Sequence, residues 1–163
     1  MQLAELNDTS LRSFSIVRSL NPAWSKQIEA AVRDFFKTSH VPQGVDEQGF
    51  CQQTLESIAS ATFLNNGGDF WLLLENGVVK GYLLARITKD IDNTLTYWIS
   101  QSWVHKSMRG DPEVKNCWET VRKRALECFC KHIVIVSSRS TRAYCRFLGH
   151  GMHLYSALLK EDI

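Results

Sequence analysis

The side chains of this 163-residue chain that could do chemistry are scattered along it, not gathered in one motif. Five cysteines, Cys51, Cys117, Cys128, Cys130 and Cys145, are odd in number and irregularly spaced. That pattern fits a reducing compartment such as the cytoplasm and not a secreted disulfide framework. Cys128 and Cys130 stand two apart on a predicted helix, so they face different sides and cannot make a CxxC clamp; no metal site is expected. Glu75, His105 and His153 are side chains capable of general acid–base work, and each fits a solvated residue equally well. His150 and His153 flank the last turn, where histidines are more often solvated than liganding. Arg109 and Gly110 precede Asp111-Pro112-Glu113, and an arginine and glycine ahead of a helix N-terminus can reach a phosphate. The same residues fit a structural turn before a helix that caps itself. P-loop, dinucleotide-binding, nucleophile-elbow and HExxH motifs are all missing.

The elements that must position these groups are legible from periodicity and punctuation. Phe14, Ile16 and Arg18 alternate as a short first strand. Asn21-Pro22 is a helix start leading into Ile28, Ala31, Val32, Phe35 and Phe36 at helical spacing, with an end near Ser39. A second helix over 47–63 presents Cys51, Leu55, Ile58, Ala59 and Thr62 and stops before Asn66-Gly67-Gly68. The period then changes to two. FWLLLE at 70–75, Asn76-Gly77 and VVKGYLLARIT at 78–88 predict a hairpin, and the aromatic, β-branched segment 94–104 predicts the next antiparallel strand. Trp98, Trp103 and Tyr97 on that strand fit either a cleft lining or core. Asp111-Pro112-Glu113 starts a third helix with an apolar stripe of Val114, Cys117, Trp118, Val121, Ala125, Cys128 and Phe129. HIVIV at 132–136 has the composition of a strand buried on both faces, parallel to the one before the helix. A short helix over about 140–148 and a strand over 152–160 complete the order.

Composition narrows the classes. With 44% hydrophobic and 22% charged residues the chain has the balance of an ordinary globular protein, and its length suits a single domain over 1–163. A net charge of +2 is too small for a dedicated nucleic-acid binder. Lys115, Glu119, Arg122, Lys123 and Arg124 read as a solvated helix face, so a nucleic-acid partner bound through Arg122, Lys123, Arg124 and Lys131 is not expected. The first residues lack a basic segment followed by an apolar one, and no apolar run approaches the ~20 residues of a membrane span, so neither a signal peptide nor a membrane is expected.

The element order β-α-α-β-β-β-α-β-α-β, together with ENGVVKGYLLARI at 75–87, VHKSMRG at 104–110 and TRAYCRFLG at 141–149, resembles the GNAT superfamily of N-acetyltransferases over about residues 11–160. The resemblance implies an α/β (α+β) fold with a central, mostly antiparallel mixed sheet flanked by helices, opening between its fourth and fifth strands. It implies acetyl-CoA as cofactor, an amine as acceptor, and cofactor contacts at Arg109, Gly110 and Asp111. It also implies an oxyanion donor in the backbone of a fourth-strand bulge near Trp103 or Val104, with Tyr144 or Cys145 as the acid that protonates the leaving thiolate. The chain departs from the family pattern twice. The small positions of the loop Q/R-x-x-G-x-G/A fall on Pro112 and Val114, and the position of the family tyrosine holds Cys145, with Tyr144 beside it. Those departures suit a second expectation, a GNAT-like module without catalysis that binds protein partners, such as a bacteriophage virion component.

Overall fold

The Asn76-Gly77 turn organises the sheet. Its residues take φ of 50° and 77°, the left-handed pair that a type I′ hairpin requires, and fold β2 (Gly68–Glu75) onto β3 (Val78–Lys89). This computed structural model describes residues 12–39, 44–64 and 66–136. β4 (Leu95–Val104) returns along β3 after a turn held by Asp90 N–H to the Thr94 carbonyl at 2.9 Å. β1 (Phe14–Val17) pairs antiparallel with β2, and β5 (His132–Ile135) pairs parallel with β4, giving the order β1-β2-β3-β4-β5. Through residue 136 the expected order of elements is observed. The expected helix at 140–148 and strand at 152–160, and with them Tyr144, Cys145, His150 and His153, lie outside the described residues.

Three helices cover the sheet. α1 (Ser25–Thr38) and α2 (Glu47–Phe63) pack on one face and α3 (Pro112–Glu127) on the other. β2 shows why both faces are needed. Phe70, Leu72 and Leu74 join Ile28, Ala31, Val32, Cys51 and Ile58 under α1 and α2, whereas Trp71 joins Trp118, Val121 and Ala125 under α3. Side chains alternate across a strand, so only a doubly covered strand can be continuously apolar. β3 approaches closely where Gly81 lies opposite Val104; a Cβ there would stand 3.0 Å from the Trp103 carbonyl and 3.3 Å from the Leu73 Cβ.

Two sequence expectations are corrected. Asn21-Pro22 opens a single 3-10 turn, Pro22–Trp24, with the Asn21 carboxamide accepting from Ala23 N–H at 2.9 Å, and α1 begins only at Ser25. Phe129 is not part of the buried stripe of α3. The helix ends at Glu127, Phe129 takes φ of 58° and is 83% exposed. Its N–H bonds the Leu126 carbonyl and Cys130 N–H bonds that of Ala125, both at 2.9 Å. This is a Schellman stop with phenylalanine in the left-handed position usually given to glycine.

Candidate functional site

The turn from β4 into α3 is where the resemblance places the cofactor, and here it is closed on itself. After Val104, His105 caps a 3-10 turn, Lys106–Met108. The His105 Nδ1 accepts Ser107 N–H at 3.2 Å and stands 2.7 Å from the Ser107 hydroxyl. His105 Nδ1 is thereby engaged in the turn. Gly110, at φ of 86°, turns the chain into Asp111, the cap of α3.

Asp111 then satisfies the helix start from within. Its Oδ1 accepts Glu113 N–H at 3.0 Å and its carbonyl accepts Val114 N–H at 3.1 Å. Pro112 has no N–H to offer. Upstream, Arg109 N–H points to the Lys106 carbonyl at 3.4 Å and Asp111 N–H to that of Met108 at 3.1 Å. The other carboxylate oxygen of Asp111 lies 3.1 Å from an Arg12 nitrogen, and the Arg12 Nε reaches Glu75 at 2.7 Å. Glu75 also faces Lys80 at 3.7 Å, which engages the second base candidate as well. The Glu75 and Asp111 carboxylates hold the exposed Arg12 guanidinium above its ordinary pKa, the Glu75 hydrogen bond being the larger influence.

These residues do not fit the diphosphate of acetyl-CoA. An anion at a helix N-terminus needs free N–H donors and an absence of competing negative charge. Within 109–114, among the described residues, the N–H groups other than that of Gly110 are bonded internally or missing, and the Asp111 and Glu113 carboxylates stand at the helix start.

The bulge expected near Trp103 or Val104 falls elsewhere. Leu84 pairs with Gln101 and Ala85 with Ile99, so Ser100 is the extra residue of β4, and its hydroxyl bonds the Leu84 carbonyl at 3.2 Å. Trp103 and Val104 continue in register with Tyr82 and Gly81. The Trp103 side chain is buried, stacks with Tyr82 at 6.2 Å between ring centroids, and donates to Asp34 of α1 at 2.7 Å. The Val104 side chain packs with Leu73, Met108 and Val114. Among the described residues, parallel pairs to β5 run from Thr96 to Ile99. Beyond the bulge, Tyr82 O–H donates to the Gln101 side-chain Oε1 at 3.0 Å, and the Gln101 Nε2 donates to the Thr54 hydroxyl of α2 at 3.1 Å. Burial drives the Tyr82 phenol far above its ordinary pKa.

A second polar cluster, not foreseen from the sequence, lies on the α3 face. Asp69 is 2% exposed. It is paired with Arg18 and, at 3.1 Å, with Arg124, and it accepts the Tyr97 hydroxyl at 2.9 Å; Tyr97 in turn accepts from the Trp71 indole at 3.0 Å. Burial raises the Tyr97 phenol strongly, the Trp71 hydrogen bond opposes this, and Asp69 adds to it. Arg124 therefore leaves the solvated basic face assigned to it, while Arg122 stays there beside Glu119 at 3.3 Å. Tyr97 is core, with no exposed surface. The only sequence signal for this cluster was an acidic residue opening an apolar strand.

The cysteines are not gathered for chemistry. Burial, with Glu113 second, pushes the Cys117 thiol up to about 11, and burial likewise raises Cys51 and Cys130. Among the described residues no group of three histidine, cysteine or acidic side chains could hold a metal ion, and no helix is long and apolar enough to cross a membrane.

With the geometry in place, the fold can be compared with known proteins. No protein-family model and no curated protein sequence matches the chain. Solved structures do. A protein from Pyrococcus furiosus described as an acetyl transferase superposes with a TM-score of 0.70 at 18% identity, over 93% of this chain and 100% of the other. An aminoglycoside N-acetyltransferase in complex with CoA gives 0.67 at 13%, over 93% and 97%. A GNAT family acetyltransferase from Staphylococcus aureus gives 0.65 at 12%, over 92% and 99%. The chain therefore has the GNAT fold: a mixed, mostly antiparallel open sheet of five described strands flanked by helices.

Proposed function

We propose that the protein is an N-acyltransferase of the GNAT type, moving an acyl group from a thioester to an amine. The observation that carries the reading is the bulge in β4, where Ser100 drops out of the ladder with β3. The extra residue of a bulge is left unpaired, and a backbone N–H freed in this way is a donor for the oxyanion of acyl transfer. In the reaction the amine nitrogen forms a bond to the carbonyl carbon, the carbon–sulfur bond breaks, the amine gives up a proton to a base, and the departing thiolate takes one from an acid. Tyr144 and Cys145 are proposed for the acid on the strength of the family resemblance. Of the base candidates, His105 and Glu75 are engaged in contacts of their own and His153 lies outside the described residues, so the base is unassigned. The similar structure named as an aminoglycoside N-acetyltransferase supports an amine as the acceptor class.

The test is turnover. Purified full chain is incubated with acyl thioesters and a panel of amines, and N-acylated product is followed by chromatography and mass spectrometry. Ser100→Pro removes the proposed donor at a bulge, a position that tolerates proline, and is expected to lower kcat by about 100-fold with an unchanged melting temperature. Product from no thioester with any amine would sink the reading. The second reading, a non-catalytic GNAT-fold module that binds protein partners, is favoured by the internal pairing of Asp111, and that outcome would select it.

A further inference from the structure

We infer that the acyl donor is recognised through its acyl-pantetheine arm alone, and that the α3 N-terminus excludes the nucleotide diphosphate that makes CoA the usual carrier. The inference rests on the acyltransferase reading and names its donor class: a pantetheine thioester bearing at most one phosphate, free or attached to a carrier protein.

The argument is one of donors and charge. A diphosphate seated at the start of α3 would bring two negative charges against Asp111 and Glu113. It would find no N–H on Pro112 and those of Glu113 and Val114 already donated to Asp111. Displacing Asp111 to free them also breaks its pair with Arg12, so the anion has to replace two sets of hydrogen bonds before it gains any. Val114 adds bulk as well: it is buried with Met108 and Leu73 at the point where the backbone would have to approach a phosphate. Around the same turn, Lys106, Arg109 and Lys115 are exposed and belong to none of the ion pairs among the described residues. Three free cations on the outer rim suit a single phosphate or the acidic surface of a carrier protein, met from solvent and without the helix donors.

The experiment compares acetyl-CoA with S-acetyl-4′-phosphopantetheine by calorimetric titration of the full chain. The expected result is that acetyl-CoA binds no tighter than the phosphopantetheine thioester, because the nucleotide diphosphate gains no donor and meets Asp111 and Glu113. Acetyl-CoA binding tighter by more than about threefold would overturn the inference and leave the acyltransferase reading standing. Binding of neither would overturn both. The triple variant Asp111→Asn, Pro112→Gly, Glu113→Gln keeps a capping side chain at 111 and is expected to gain at least about tenfold for acetyl-CoA over the phosphopantetheine thioester. A correctly folded triple variant without that gain also counts against the inference. Turnover with the arm loaded on a carrier protein identifies the protein-borne source, and turnover with the free thioester alone identifies the small molecule.

Discussion

Replacing Asp69 by asparagine tests the account of the α3 face. The carboxylate is 2% exposed and answers two guanidinium groups and a buried hydroxyl. An asparagine offers one acceptor oxygen and turns two N–H donors toward groups that are themselves donors. Breaking a buried ion pair costs about 3–5 kcal/mol where the orphaned charge stays buried. Here the orphans are Arg18 and Arg124, whose side chains are 41% and 28% exposed and so regain part of their hydration. The discounted loss is about 2–3 kcal/mol, or a fall in melting temperature of roughly 5–10 °C for a chain of this length. Urea unfolding followed by tryptophan emission measures it, with the slope of the transition unchanged. Asp69→Asn combined with Arg124→Met should lose less than the two single losses added, because the pair is already broken. A change below about 0.5 kcal/mol for Asp69→Asn alone would refute the reasoning, since it would mean that the site behaves as solvated surface.

Three further outcomes follow from the same structure. Phe129→Gly should stabilise the protein by about 1 kcal/mol, because glycine adopts the left-handed C′ conformation without strain and an 83% exposed side chain surrenders little packing; a lower urea midpoint would contradict this. Asp111→Ala should cost about 1 kcal/mol and speed hydrogen exchange at Glu113, whose N–H loses its side-chain acceptor, while exchange at Val121 in the middle of α3 stays unchanged. Above pH 10, stability should fall. Tyr82 and Tyr97 have raised folded-state pKa values, so their contribution is complete below the unfolded-state value near ~10 and is lost as pH rises past it, when only the unfolded phenols ionise. Cys117, held up to about 11, adds a decline beginning near the ordinary thiol range. Urea midpoints at pH 8, 9.5 and 10.5 measure the slope, which Tyr97→Phe should flatten.

What was legible in the sequence was what chain neighbours decide. Asn76-Gly77 fixes the hairpin through two residues that tolerate positive φ, and Asp111-Pro112 fixes the start of α3 through a cap and a preset backbone angle. The span 47–63 of α2 follows from the spacing of Cys51, Leu55, Ile58, Ala59 and Thr62 and the stop before Asn66-Gly67-Gly68. The misses are long-range. Asp69 looks like the end of the Gly67-Gly68 turn until Arg18 and Arg124 arrive from 51 and 55 residues away. Phe129 shares the helical spacing of α3, and nothing in its residue type marks the left-handed position at which the helix stops. The bulge at Ser100 carries no glycine or proline to mark it. At the candidate site the departures at Pro112 and Val114 were visible, but not the part of Arg12, which comes from the other end of the chain to hold Asp111.

The Asp69 cluster also has a consequence in time. Its partners come from the segment after β1, from β4 and from α3, at sequence separations of 51, 28 and 55 residues, so the cluster is complete only once the sheet and α3 have met. Contacts that need such long loop closures form late in folding. Substitutions in the cluster should therefore leave the folding rate nearly unchanged and act on the unfolding rate, which makes this buried carboxylate a determinant of how long the native state lasts once formed.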